Sequence, residues 1–156
     1  MTKYSSKRGI VSCPPYQLYM AFADMRNFLQ YVPADKKQDV TADYDTINFK
    51  VQGFDFGVKA FERVPYSRLS FVDNGAPFAF KVDLCFDSDN GSQNTTDFHI
   101  EVEADLNFMM KMMIGSKIKD GLDKLVDAMA DMSNGKVPEG FDPSQFNGGG
   151  DFFKKN

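Results

Sequence analysis

The chain has 156 residues, a formal net charge of −4 and a pI of about 4.9, with 16 phenylalanines, nine methionines and no tryptophan. One domain is expected at this length, and such a chain buries roughly 68–70% of its unfolded surface, so neither disulfides nor a structural metal are needed to hold it. The acidic balance argues against a nucleic-acid surface and an anionic membrane surface, which both require basic faces, and no run approaches the length of a membrane-spanning helix.

The opening MTKYSSKRG lacks the apolar segment of a secretory signal. Cys13 and Cys85 are far apart and fit no metal-ligand spacing. The expectation is a cytoplasmic protein with reduced thiols, no cofactor and no metal. Residues 3–11 read as a first strand ending in Ile10 and Val11. Ser12-Cys13-Pro14-Pro15 reads as a helix start, because a proline in the first turn forfeits no helical hydrogen bond. That helix runs through Leu18 and Phe22 to about Asp24. A second short helix places Met25, Phe28, Leu29 and Val32 on one face and is stopped by Pro33, and residues 33–39 read as a charged loop.

A succession of strands follows. Val40 and Ala42 begin one, and Asp43-Tyr44-Asp45 turns the chain. Ile47, Phe49 and Val51 alternate with Asn48, Lys50 and Gln52, which gives one buried face. After Gly53, Phe54, Phe56 and Val58 repeat the alternation. It slips at Ala60-Phe61-Glu62-Arg63-Val64, the mark of a bulge. Leu69 and Phe71 continue, Asp73-Asn74-Gly75 is a hairpin turn, and Phe78, Phe80, Val82, Leu84 and Phe86 alternate with polar partners. A turn over residues 87–95 leads to Phe98, Ile100, Val102 and Ala104, which alternate with His99, Glu101 and Glu103. Cross-strand charge pairing on a wet face accounts for the acidic residues there.

A long helix is expected from about Leu106 to Met132, capped by Asp105 or Asn107 and ended by Asn134-Gly135. Met110, Ile114, Ile118, Leu122, Leu125, Met129 and Met132 form its stripe. Its first turns are apolar nearly all round, with Phe108, Met109, Met110, Met112, Met113 and Ile114 interrupted only by Lys111. Methionine suits irregular gaps and adaptable binding surfaces. A domain over residues 1–134 is therefore followed by a Gly- and Phe-containing tail over residues 135–156. The class is α+β: an antiparallel sheet of about six or seven strands, two short helices, and one long C-terminal helix covering the apolar face.

The order of elements, the Ser12-to-Pro15 helix start and the run from Phe22-Ala23-Asp24-Met25 to Pro33 resemble the START-like, or SRPBCC, superfamily, to which the birch-pollen allergens belong. The resemblance spans roughly residues 3–133. It implies the helix-grip fold and a cavity between the sheet and the C-terminal helix for a lipid, sterol, quinone or polyketide. Family members include binding proteins, cyclases and chaperone co-factors, and the resemblance carries no catalytic motif onto this chain.

The cavity candidates are Phe54, Phe56, Glu62, Phe80, Phe98, Met109, Met112 and Met113. Phenylalanines of even parity share one face, and most of them serve as core. Met109, Met112 and Met113 cannot all face one sheet, so they line the cavity mouth, fill core, or form a contact between two copies. Glu62 faces inward if the register holds, where a carboxylate is costly unless paired. The slip at Phe61 turns it outward, which is the preferred reading, and Arg63 is the residue the slip would place inside. Cys13 stands at a helix N-terminus, which lowers a thiol pKa, but with no base in its segment it reads as structural. His99 reads as a solvated strand residue. Binding of a hydrophobic small molecule is thus placed ahead of a cyclase- or hydratase-like activity and of a protein-interaction role, with a homodimer as a further option.

Overall fold

The computed structural model describes residues 1–31, 34–51, 53–89 and 91–135, and for residues 30, 31, 51, 54, 89 and 92 the backbone only. The stop at Pro33 and the tail beyond Gly135 lie outside the described residues. Strands β1 (Thr2–Ser5), β2 (Gly9–Val11), β3 (Val40–Ala42), β4 (Thr46–Val51), β5 (Phe54–Val64), β6 (Arg68–Asp73), β7 (Phe80–Asp89) and β8 (Ser92–Ala104) form one antiparallel sheet. Its order is β1-β8-β7-β6-β5-β4-β3, with β2 also paired to β8. Helices α1 (Pro15–Ala23) and α2 (Phe108–Ser133) accompany two 3₁₀ helices, Met25–Tyr31 and Ala34–Asp39. This is the α+β helix-grip arrangement. The segment read as a charged loop is the second 3₁₀ helix, and it is exposed throughout.

The N-terminal strand differs from its expected form. It breaks after Ser5 because Ser6 takes over the ladder with its side chain: its N–H donates to the Ile100 carbonyl at 2.8 Å, and its Oγ accepts the Ile100 N–H at 2.8 Å. The next residues turn outward. The Lys7 N–H donates to Asp123 Oδ1 on α2 at 2.6 Å, and Arg8 reaches Asp87 and Asp97. Gly9 then resumes pairing opposite Phe98.

Short-range chemistry sets the other turns. Asp43 Oδ1 accepts from the N–H groups of Asp45 and Thr46 and from the Thr46 hydroxyl, an Asx turn closing β3 to β4. Where β5 meets the turn after β6, the Gly57 and Asn74 backbones approach so closely that a Cβ at Gly57 would overlap the Asn74 carbonyl oxygen, so only glycine fits. The expected bulge is present: Ala60 pairs with Phe71 and Glu62 with Ser70, which leaves Phe61 unpaired.

The apolar face is covered by several elements rather than by the long helix alone. α2 rests on β1, β2 and β8, α1 packs on β6, β7 and β8, and the first 3₁₀ helix packs on β3 and β4. Each covers only the strands it crosses. The core between them contains Val11, Leu18, Phe22, Met25, Leu69, Phe71, Leu84, Phe86, Phe98, Ile100, Leu122 and Val126. On α2 the seam passes through Gly115, Leu122, Val126 and Ala128. Leu125, expected in the stripe, is 51% exposed because the one-residue step to Val126 carries the inward position. Asn107 caps the helix by accepting the Met110 N–H at 2.8 Å, and Gly135 follows its end at φ +77°.

Candidate ligand-binding site

Burial along the inner face of the sheet changes from one end to the other. Leu69, Leu84, Phe86, Phe98 and Ile100 are sealed in the core. Farther along, Phe49, Phe56, Phe78, Phe80, Val82 and Val102 are only partly buried. Four of these rings form a continuous wall. Phe49 stacks on Phe56 at 5.5 Å between centroids, Phe56 meets Phe78 edge-on at 6.2 Å, and Phe78 meets Phe80 edge-on at 5.9 Å. Cross-strand pairing of Phe49 with Phe56 puts the first two on one face. The wall ends where β8 hands over to α2. Phe80 pairs with Ala104, and the Asp105 N–H donates to the Ala79 carbonyl at 2.8 Å.

That handover begins the apolar end of α2. Met110 and Ile114 are partly buried, whereas Phe108, Met109, Met112 and Met113 are 63–78% exposed. A helix resting on β1 and β8 turns only one side to the sheet, so residues around the rest of its circumference face outward. Partly covered rings and an uncovered helix end therefore meet at one end of the molecule.

The sequence candidates divide accordingly. Phe56 and Phe80 belong to the wall. Phe49 and Phe78, absent from the candidate set, complete it, and the ring-to-ring pairing that identifies them depends on strand register. The Phe54 side chain lies outside the described residues. Phe98 is a core residue, fully buried against Phe86 at 5.6 Å. Met109, Met112 and Met113 face outward rather than lining an enclosed space. Glu62 also leaves the cavity set: the bulge turns it to the outer face, half exposed and paired with Arg68. Arg63 takes the inner side. Its guanidinium donates to the Ala23 carbonyl at 3.0 Å, to the Tyr44 carbonyl at 3.0 Å and to Asp45 at 2.9 Å, and lies 4.3 Å from the Tyr44 ring centre. It ties the end of α1 to the β3–β4 turn.

The described residues line surface clefts, two of which have mixed polar and apolar edges. One, of about 480 Å³, sets Gln38, Asn48, Lys50 and Asp55 beside Phe49 and Phe56. The other, of about 560 Å³, is lined by Pro14, Pro15, Tyr16, Tyr66, Gln93 and Asn94. Their polar edges differ from the apolar lining typical of a hydrophobic-ligand cavity.

No family model and no curated protein matches the sequence. Solved structures do match in shape. Norcoclaurine synthase from Thalictrum flavum shares 9% identity at a TM-score of 0.59, over 83% of this chain and 84% of its own. A START superfamily protein from Mycobacterium smegmatis shares 12% at 0.54, over 81% and 98%. The Aha1 dimer from Colwellia psychrerythraea shares 15% at 0.55, over 83% and 97%. The fold is START-like.

The two thiols of this START-like chain sit in different surroundings. Burial pushes the Cys13 thiol up to about 11, so desolvation outweighs the helix N-terminus that was expected to lower it. Cys85 is brought by strand register directly opposite His99, on the outer face of the sheet. On that face the charge pairing is only partly as expected. Lys81 opposes Glu103, but Asp83 opposes Glu101 and Asp87 opposes Asp97. These are like charges on facing positions, an arrangement that destabilises a ladder unless cations compensate. Arg8 bridges Asp87 and Asp97, at 3.1 and 3.2 Å. Among the described residues, no helix is long and apolar enough to cross a membrane.

Proposed function

We propose that this protein binds an apolar small molecule of the lipid, sterol, quinone or polyketide class, as an intracellular carrier or sensor. The observation that carries the reading is the ring wall Phe49–Phe56–Phe78–Phe80, left partly uncovered next to the apolar end of α2. Rigid aromatic faces present large contact area with little conformational freedom to lose. Met110 and Ile114 border the same end, and the START-like fold is compatible with such a ligand.

The test is native mass spectrometry of protein purified from its own host, followed by denaturation and extraction, and then titration with a panel of fatty acids, sterols and quinones. A stoichiometric apolar molecule is expected. Phe56→Ala weakens its binding by about tenfold, equivalent to about 1.4 kcal/mol, within the range for one well-placed aromatic contact. A clean apo mass that no panel member shifts, or equal affinity of Phe56→Ala for a captured ligand, refutes the assignment.

The 63–78% exposure of Phe108, Met109, Met112 and Met113 favours a second reading of the helix end as a contact between two copies. Light scattering on the wild type and on Met112→Lys separates the readings. A dimer that becomes a monomer supports the contact, and a wild-type monomer at high concentration removes it.

A further inference from the structure

The outer face of the sheet, opposite the ring wall, carries a cluster the apolar-ligand reading does not use. Cys85 on β7 and His99 on β8 face each other, and Asp83 faces Glu101 on the adjacent rung. Glu101 Oε2 lies 3.8 Å from Cys85 Sγ, and its Oε1 lies 3.8 Å from His99 Nε2. One donor atom from each of Cys85, His99 and Glu101 falls within 4.8 Å of the other two. On the far side of the imidazole, Nδ1 is buried, makes no hydrogen bond, and lies 3.8 Å from Asp87 Oδ2. The His99 side chain is 13% exposed.

We infer that Cys85, His99 and Glu101 form a binding site for a divalent cation of the zinc class, with Asp87 as the positioning residue behind His99. Three observations converge. The donors are one sulfur, one nitrogen and one oxygen, a mixed set suited to zinc and unsuited to magnesium or calcium, which take oxygen. Their separations approach that of a bound ion: a tetrahedral ion about 2.3 Å from sulfur and about 2.0–2.1 Å from nitrogen and oxygen holds its ligands roughly 3.5 Å apart, against 3.8 Å for both contacts of Glu101 and no more than 4.8 Å between Cys85 and His99. These contacts are longer than ordinary N–H···O hydrogen bonds and close onto an ion with small rotamer changes. Finally, the surroundings are net anionic: the carboxylates of Asp83, Asp87, Asp97 and Glu101 share Arg8, Lys81 at 3.9 Å from Asp83, and Arg68 of β6, which stands opposite Cys85 and is itself drawn to Glu62.

With the ion on Nε2, Nδ1 holds the proton and, after a small rotation of the imidazole or the carboxylate across the 3.8 Å gap, points it at Asp87, which Arg8 keeps in place. Metal-bound histidines are commonly oriented by such a carboxylate. In the metal-free protein burial, then the nearby Glu101, Asp83 and Asp87 carboxylates, push the Cys85 thiol up to about 12. Binding of the dication releases the Cys85 thiol proton to solvent. Three protein ligands leave a fourth position for water.

The experiment uses untagged full-length chain stripped with a chelator and titrated with cobalt(II), then with zinc(II) in competition. His99 is the only histidine and Cys13 the only other thiol, so the signals are assignable. One equivalent of cobalt is expected to give a thiolate charge-transfer band and tetrahedral visible bands. Both vanish in Cys85→Ser and remain in Cys13→Ala. Glu101→Gln, a change at an exposed side chain, weakens the signal. Asp87→Asn keeps the band and lowers zinc affinity by about 10–100-fold. A wild type without the band, a band surviving Cys85→Ser, or magnesium binding as tightly as zinc overturns the site. None of these outcomes depends on whether an apolar ligand binds the opposite face.

Discussion

The seat of α2 on the sheet can be tested at one atom. Gly9 on β2 lies under Val126, and a Cβ built on Gly9 would stand 2.5 Å from Val126 Cγ1 and 3.7 Å from its carbonyl oxygen. Val126 is fully buried and cannot swing away easily, since a helical valine is confined to one strongly preferred χ1 rotamer. Away from any clash, Gly→Ala inside a strand gains about 0.5–1 kcal/mol. Overpacking of this kind costs about 1–3 kcal/mol. Gly9→Ala is therefore expected to lose about 0.5–2 kcal/mol, a drop of a few degrees in Tm for a chain this size. Val126→Ala alone removes two buried carbons, a loss of about 1.6 kcal/mol from transfer and more with the cavity. In the double variant the new methyl occupies part of that cavity, so the combined loss falls short of the sum by about 0.5–2 kcal/mol. Urea unfolding of the four proteins measures the cycle. If Gly9→Ala stabilises the protein, or the two losses simply add, α2 does not sit where described.

Two further outcomes follow from local features. Tyr66 holds φ +66° while its ring meets Tyr19 edge-on at 5.5 Å. Replacing it by alanine or glycine removes the ring equally, but only glycine relieves the backbone, so Tyr66→Gly should be more stable than Tyr66→Ala by about 1–2 kcal/mol in thermal melts. Equal melts would mean the turn is not strained. Asp24 is held below the usual carboxylate range chiefly by the Arg26 side chain, and Asp43 chiefly by the Thr46 hydroxyl and then by backbone N–H groups. A lowered folded pKa gives stability that is complete above the unfolded value, about 3.9, and is lost as pH falls through the folded value. Urea midpoints should thus decline below about pH 4, and Asp43→Asn should flatten that decline. A profile identical to wild type would refute the role of the Asp43 turn.

Much of the fold was legible because it rests on alternation. Phe61 breaks the two-residue period between Val58 and Val64, and the register slips there. The same slip correctly turns Glu62 outward. What stayed hidden depends on long-range register or on which side of a helix meets a partner. Continuing the Asp89–Ser92 pairing would set Cys85 opposite Thr96, whereas the irregularity between Ser88 and Asp89 brings His99 to that place. No local pattern reveals that shift, so the Cys85 cluster was invisible. On α2, Leu125 and Val126 both fit a helical stripe after Leu122. The deciding factor is the bare backbone of Gly9 beneath Val126. At the Met-rich end the sequence displays only apolarity, which fits cavity lining, core and a contact between copies equally well, and only the side of the helix turned to the sheet separates them.

The pairing of Thr2 with Ala104 gives the protein a distinctive order of assembly. During synthesis β1 emerges first, yet its partner β8 arrives about a hundred residues later, and α2 clamps β2 only after that. The hairpins from β3 to β7 can form as they appear, since their contacts are local. The N-terminal strands must wait, with their backbone groups open to other partners. Anything that shortens the wait, such as a pre-formed β7–β8 hairpin, should protect the nascent chain, and a stall before residue 104 leaves its first strands without a place to go.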